Sequence, residues 1–210
     1  VSDPYAALIA ELIEVGADAV HRGLVLASAG NLSARVPSNG ETYVITAART
    51  WLDRLTPDQF SVMRLDGEVV GGNPSPSTEW RLHRRTYQIR ADVNSVIHLH
   101  PQTAVVLDAL GHEVRHLTLD HVAYLGCVGR VPFFPNGSDE LADGAAEAAR
   151  TCNAVILANH GSSTLGDTIA MAYRRALLLE EAASNTFLCL QLGDTTTRFP
   201  IDALGAAGHL

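Results

Sequence analysis

Two histidines flank one leucine at the end of an apolar run, Ser95-Val96-Ile97-His98-Leu99-His100-Pro101. A third closes another, Ala154-Val155-Ile156-Leu157-Ala158-Asn159-His160-Gly161. Alternate residues of an extended strand share a face, so His98 and His100 point the same way. Two imidazoles on one face, met by a third from a separate strand end, make a three-nitrogen metal site with one position open. Catalytic zinc is commonly held this way. Burying the pair without a metal or partners would cost free energy. Gly161 lets the chain bend where a side chain would crowd the site. Imidazole ligands favour zinc, and manganese or cobalt also fit. Glu79, in Pro76-Ser77-Thr78-Glu79-Trp80, lies in the first turn of a predicted helix, where the dipole favours a carboxylate. Near a metal it could be a fourth ligand, a general base, or each in turn. His83, one turn further on, can reach Glu79 as a supporting hydrogen-bond partner.

These residues need elements to hold them. Ser2-Asp3-Pro4 opens a helix with an apolar stripe at Leu8, Ile9, Leu12, Ile13 and Val15, ended by Gly23. Gly30 to Val36 reads as a turn entering a strand, Pro37-Ser38-Asn39-Gly40 as a turn, and Tyr43-Val44-Ile45-Thr46 as the returning strand. A hairpin is expected around Asp66-Gly67, then a loop over 71–76. Ser77 or Thr78 caps a helix to about Arg90, followed by a strand from Val93 to Leu99. Pro101 starts a short helix that Gly111 stops, and 112–134 is strand and loop. Asp139 to Arg150 is a helix and Ala154 to Ala158 a strand. A long helix capped by Asp167 runs to Gly193, with a mobile tail from about 194. This order predicts one α/β domain over 1–210, a central, mostly antiparallel sheet with helices on its faces.

Composition bounds the function. The chain has 210 residues, 47% hydrophobic and 18% charged, as in an ordinary globular protein. Its 15 basic against 23 acidic residues give a net charge of −8, which argues against a general nucleic-acid surface or polybasic membrane attachment. No run reaches membrane-spanning length, and Asp3 and Glu11 sit in an amphipathic rather than a signal-peptide pattern. Cys127, Cys152 and Cys189 are few and odd in number. They read as buried thiols in a reducing compartment, with cytoplasm the expected location.

Five blocks in order, Gly30-Asn31-Leu32-Ser33-Ala34-Arg35, Ile45-Thr46, Pro76-Ser77-Thr78-Glu79-Trp80-Arg81-Leu82-His83, His98-Leu99-His100-Pro101 and Asn159-His160-Gly161, carry a resemblance. The chain resembles the class II aldolase/adducin superfamily, and within it the L-fuculose-1-phosphate aldolase group, from the first helix to about Leu192. The resemblance implies an α/β/α sandwich and a homotetramer with active sites at subunit interfaces. It implies His98, His100 and His160 as zinc ligands, with Glu79 as fourth ligand and then base. Asn31, Thr46, Ser77 and Thr78 match phosphate-binding positions. Gly30 lets backbone approach a ligand, and unpaired N–H groups ahead of a helix favour an anion at Ser77 and Thr78. Two departures stand out. Arg49 replaces a glycine beside the anion pocket, where it could pair with phosphate or carboxylate or face solvent. Asp120-His121 stands where the group has its proton-donating tyrosine, so His121, or nearby Tyr124, takes that role. The implied reaction is reversible retro-aldol cleavage of a ketose, such as a ketose 1-phosphate, through a metal-stabilised enediolate. A sugar-acid-phosphate decarboxylase or a pentulose-phosphate epimerase could use the same site. An adducin-head-like interaction module would share the fold without the metal.

Overall fold

A computed structural model of the chain describes residues 4–36 and 40–205. The expected cap at Ser2-Asp3 and the turn at Pro37-Ser38-Asn39 lie outside these residues. Helix α1 spans Ala6–His21, buries Ile9, Leu12, Val15 and Ala19, and is followed by Gly23 at φ +74°. Pro4 lies in the turn just before it.

Eight strands form one sheet: β1 (Asn31–Arg35), β2 (Thr42–Thr46), β3 (Phe60–Arg64), β4 (Val69–Gly72), β5 (Ser95–Leu99), β6 (Val128–Val131), β7 (Ala154–Leu157) and β8 (Gly161–Gly166). Their order is β4-β3-β2-β1-β5-β8-β7-β6. Every pairing is antiparallel except β6 with β7. The helices are α2 (Trp80–Ile89), α3 (Gln102–Ala109), α4 (Asp139–Ala149) and α5 (Ile169–Gln191), with a short α6 (Asp202–Gly205) near the end. On one face, Leu32, Ala34, Val44, Ile97 and Leu99 pack with α1 and the start of α5. On the other, Tyr43, Ile45, Val96, Val155 and Leu157 pack with α2 and α4. A smaller cluster joins α3 to α5 over Ala154 and Ile156. The result is the expected three-layer α/β/α arrangement.

The differences from expectation are local. The loop expected from 71 begins two residues later, because Gly71 and Gly72 still pair with Val62 and Ser61. α2 starts at Trp80 and has no side-chain cap; the Ser77 hydroxyl instead accepts from the Glu79 N–H at 3.3 Å, ahead of the helix. α5 is capped by Thr168 rather than Asp167: extended Thr168 accepts from Met171 N at 3.1 Å, and the Asp167 carbonyl accepts from Asn94. Within 112–134, His121–Leu125 forms a π-helical turn before β6. Strand β8 was not anticipated. Cys127 and Cys152 are not free thiols but form a disulfide, their Cα atoms 4.9 Å apart, because the chain enters the neighbouring strands β6 and β7 side by side. Cys189 is free. After α5, buried Arg115 donates to the carbonyls of Asp194 and Thr197, and Phe199 N donates to His116 O. Among the described residues no helix is long and apolar enough to cross a membrane.

Candidate active site

Strand alternation places the histidines. Val96 faces α2 and Ile97 faces away from it, so His98 and His100 follow Val96 toward α2. β5 is central, and His98 has no solvent exposure. His160 comes from the turn between β7 and β8. There Asn159 takes φ +57°, which asparagine tolerates better than most residues. The glycine after His160 has a steric reason: a Cβ on Gly161 would lie 2.5 Å from the Leu99 carbonyl and 2.7 Å from the His100 ring. The three ring centroids are 4.9, 4.9 and 5.0 Å apart. Their ligating nitrogens all lie within 4.8 Å of one another.

Glu79 reaches this cluster from the start of α2. Its Oε2 is 3.1 Å from His98 Nε2, and its Oε1 is 3.5 Å from His160 Nε2. Asn31 Nδ2 donates to Oε2 at 2.8 Å. His98 Nδ1 is 2.9 Å from the Ser162 carbonyl, which can only accept, so Nδ1 carries a proton and Nε2 faces the cluster. Burial pushes the Glu79 carboxyl up, but the charges of His98 and His160 and the hydrogen bonds from His98 and Asn31 outweigh it and hold it well below the usual carboxylate range. Burial lowers His98, yet the Glu79 charge and hydrogen bond raise it on balance. Burial, then the His98 and His160 charges, push His100 down to about 3. His160 is lowered by burial and by His98.

These residues fit a divalent cation. His100 Nε2 and His98 Nε2 stand 3.1 Å apart, and with both nitrogens unprotonated their lone pairs would oppose each other unless a cation lay between them. Glu79 Oε1 is buried with no hydrogen-bond partner among the described residues. Three neutral imidazoles and a carboxylate are a usual zinc donor set.

A cavity of about 290 Å³ opens beside this cluster, lined by Gly30, Asn31, Arg49, Ser77, Thr78 and Glu79 together with His100 and Asn136. Arg49 is exposed and holds φ +63°. Three sequence expectations change. Thr46 is fully buried and does not line the cavity. Its hydroxyl accepts from Leu32 N and its carbonyl from Ser77 N, so it shapes the cavity wall rather than touching a ligand. Asn31 lines the cavity but commits its amide to Glu79 and His83. His83 does not touch Glu79 directly; its ring meets Asn31 and Ser33.

His121 and Tyr124 sit on the π turn against α5, outside the cavity. His121 is fully buried. Its Nδ1 accepts from Leu117 N at 3.2 Å, and its Nε2 is 3.7 Å from Glu181. Tyr124 is exposed, with Arg174 stacked 4.7 Å from its ring centre. Asn136, Ser33, Tyr87 and the Ser162 carbonyl escaped the sequence reading. Only Ser33 left a trace there, as a polar residue two positions from Asn31 on a buried strand.

Residues 10–187 match the model of the Class II Aldolase and Adducin N-terminal domain. The chain is 34% identical over 169 residues to a Methanocaldococcus jannaschii protein named L-fuculose phosphate aldolase, covering 80% of this chain and 90% of that one. It is 30% identical over 194 residues to the Escherichia coli 3-oxo-tetronate 4-phosphate decarboxylase, covering 90% and 89%. The crystal structure of L-fuculose-1-phosphate aldolase from Thermus thermophilus superposes with a TM-score of 0.77 at 31% identity, covering 91% of this chain and all of that one. The chain belongs to the class II aldolase and adducin N-terminal family, and within it is a class II aldolase, a lyase.

Proposed function

We propose that this protein is a zinc-dependent aldolase that cleaves a ketose 1-phosphate reversibly, in the manner of L-fuculose phosphate aldolase, and works as a homotetramer. The carrying observation is that three imidazoles and Glu79 converge beside a cavity that Arg49, Ser77 and Thr78 also line. That cavity suits a sugar with an anion at its end. The phosphate meets the Ser77 and Thr78 side chains ahead of α2, where the helix dipole favours negative charge, and Arg49 closes over it as a second cation. His98, His100 and His160, with Glu79, hold the metal. When bound, it supplies a Lewis acid for charge developing on the substrate carbonyl oxygen, worth several kcal/mol.

In cleavage, a base takes the proton of the substrate hydroxyl, the carbon–carbon bond breaks, and the aldehyde leaves. Glu79 takes up a proton from solvent and gives it to the carbon beside the carbonyl. The hydroxyl proton leaves through the π-turn residue of a neighbouring subunit to solvent, so one proton enters and one departs. Tyr124 suits this better than His121, because its phenol faces outward while His121 is buried.

One observation favours a second reading. Arg49 adds a cation where the aldolase group has glycine, and it can pair with a carboxylate. A decarboxylase for a 3-oxo acid phosphate would use the same metal and Glu79, releasing carbon dioxide in place of the aldehyde.

The test is product analysis. The zinc-loaded enzyme is expected to release aldehyde from L-fuculose 1-phosphate or 5-deoxyribulose 1-phosphate. Carbon dioxide from 3-oxo-tetronate 4-phosphate without aldehyde from either ketose would move the assignment to the second reading. Glu79→Gln should keep the fold and bind zinc but lose on the order of 100-fold or more in kcat. Near-wild-type turnover in that variant would remove Glu79 as the base.

A further inference from the structure

A buried line of hydrogen bonds runs behind Glu79, away from the cavity. Asn31 Nδ2 donates to Glu79 Oε2 at 2.8 Å, so Asn31 Oδ1 faces the other way, against His83 Nε2. His83 Nδ1 lies 2.6 Å from Ser33 Oγ, and Ser33 Oγ lies 2.7 Å from the Tyr87 hydroxyl. All four residues are buried, His83 and Ser33 completely.

The proton positions follow from one end. The Glu79 carboxylate can only accept, which fixes the Asn31 amide. Asn31 Oδ1 can only accept, so His83 carries its proton on Nε2 and leaves Nδ1 as an acceptor. Ser33 must then donate to Nδ1, and Tyr87 must donate to Ser33. One arrangement satisfies every link. The four residues also come in two pairs on rigid elements. Asn31 and Ser33 are alternate residues of β1, while His83 and Tyr87 are one turn apart on α2. Asn31 is paired with His98 across the sheet. The line therefore stitches the helix that begins at Glu79 to the strand beside the metal-ligating pair. Breaking any link strands a buried polar group, which costs more than the bond itself contributed.

We propose that Tyr87, Ser33, His83 and Asn31 act together as a positioning line that sets the Glu79 carboxylate against the three histidines, and that Asn31 is its last link rather than primarily a substrate ligand. This rests on the metal-bound reading of the site but does not depend on which sugar is cleaved. The orientation of groups that hold metal ligands typically changes metal affinity or activity by about 10-fold to 100-fold.

The test uses the full zinc-loaded chain. Nitrogen-15 spectra should show His83 neutral, protonated on Nε2, with a slowly exchanging proton. His83→Phe should lower zinc affinity, read by chelator competition, and lower kcat by about 10-fold to 100-fold with little change in KM. His83→Gln offers a donor and an acceptor at similar reach and should recover most of both. If His83→Phe does not fold, Tyr87→Phe removes only the terminal donor, and it should shift the His83 Nε2–H resonance and weaken zinc binding by less. A His83 protonated on Nδ1 would overturn the line. So would a folded His83→Phe or Tyr87→Phe protein with wild-type zinc affinity. The spectra and zinc titrations need no substrate, so a failure of the aldolase assignment would appear in product analysis alone.

Discussion

Arg49 carries a side chain at a backbone position that favours none. Its φ of +63° costs a non-glycine residue about 1–2 kcal/mol. The turn is held there by Thr50 Oγ1 donating to Ala47 O and by Ala48 N donating to Ser75 O, each at 2.9 Å. Among the described residues, no carboxylate or carbonyl pairs with its guanidinium, which lines the cavity. A strained, unpaired cation at a pocket mouth fits a role toward the ligand. Arg49→Gly should therefore raise KM for a phosphorylated substrate about 10-fold, the equivalent of roughly 1.4 kcal/mol of lost charge-assisted bonding. It should leave kcat nearly unchanged and shift stability by no more than about 1 kcal/mol, since relief of strain offsets glycine's extra chain entropy. Steady-state kinetics and thermal melts check this, and an unchanged KM would return Arg49 to the solvent. The three clustered histidines and Glu79 were legible at this scale because strand alternation and a helix start fix where they point. The destinations of Asn31, Thr46 and His83 were not. A buried amide, hydroxyl or imidazole looks the same in sequence whether it meets substrate or another side chain.

Elements were legible where an apolar period marked them, as in α1, β5 and α4. Strand β8 was missed for a physical reason. Its sequence, Gly161-Ser162-Ser163-Thr164-Leu165-Gly166, has the small polar residues of a loop, yet all six are buried. Two of its hydroxyls, on Ser162 and Ser163, have no hydrogen-bond partner among the described residues. Small residues fit there because β8 lies between β5 and β7 behind the histidines, where bulk would displace them. The disulfide was also invisible, since Cys127 and Cys152 are neighbours only after β6 and β7 pair in parallel. With its ends 25 positions apart in sequence, the bridge should stabilise the fold by about 3 kcal/mol through restriction of the unfolded chain. Reduction, or a Cys127→Ser/Cys152→Ser double variant, should lower the unfolding free energy in denaturant by that order. Zinc content should stay the same, because β7 and β8 separate β6 from the histidine-bearing β5. Equal midpoints with and without reductant would show that the bridge adds nothing.

One chain supplies the histidine cluster, Glu79 and the cavity that Arg49, Ser77 and Thr78 line, while Tyr124 is exposed outside that cavity. Tyr124 stands on the π turn, and Phe133, Phe187 and Leu188 are also exposed. Exposed apolar side chains of this size are the usual raw material of a subunit interface. In a closed symmetric ring each subunit offers one surface to the next, so Tyr124 of one chain can complete the cavity of its neighbour. This arrangement makes a prediction that no single-chain site shares. Glu79→Gln and Tyr124→Phe should each be nearly inactive alone. When equal amounts are unfolded and refolded together, a site is whole wherever an intact Glu79 from a Tyr124→Phe chain meets an intact Tyr124 from a Glu79→Gln chain. Random assembly gives that pairing at roughly a quarter of the sites, so activity should recover to about that fraction of wild type. If both residues served the same chain's cavity, mixing would produce no whole site, and activity would stay at the average of the two variants. Sedimentation of the mixture would confirm that hybrid assemblies formed. Hybrids without recovered turnover would place the proton donor within the chain that carries Glu79, and the search for it would return to the cavity wall near Asn136.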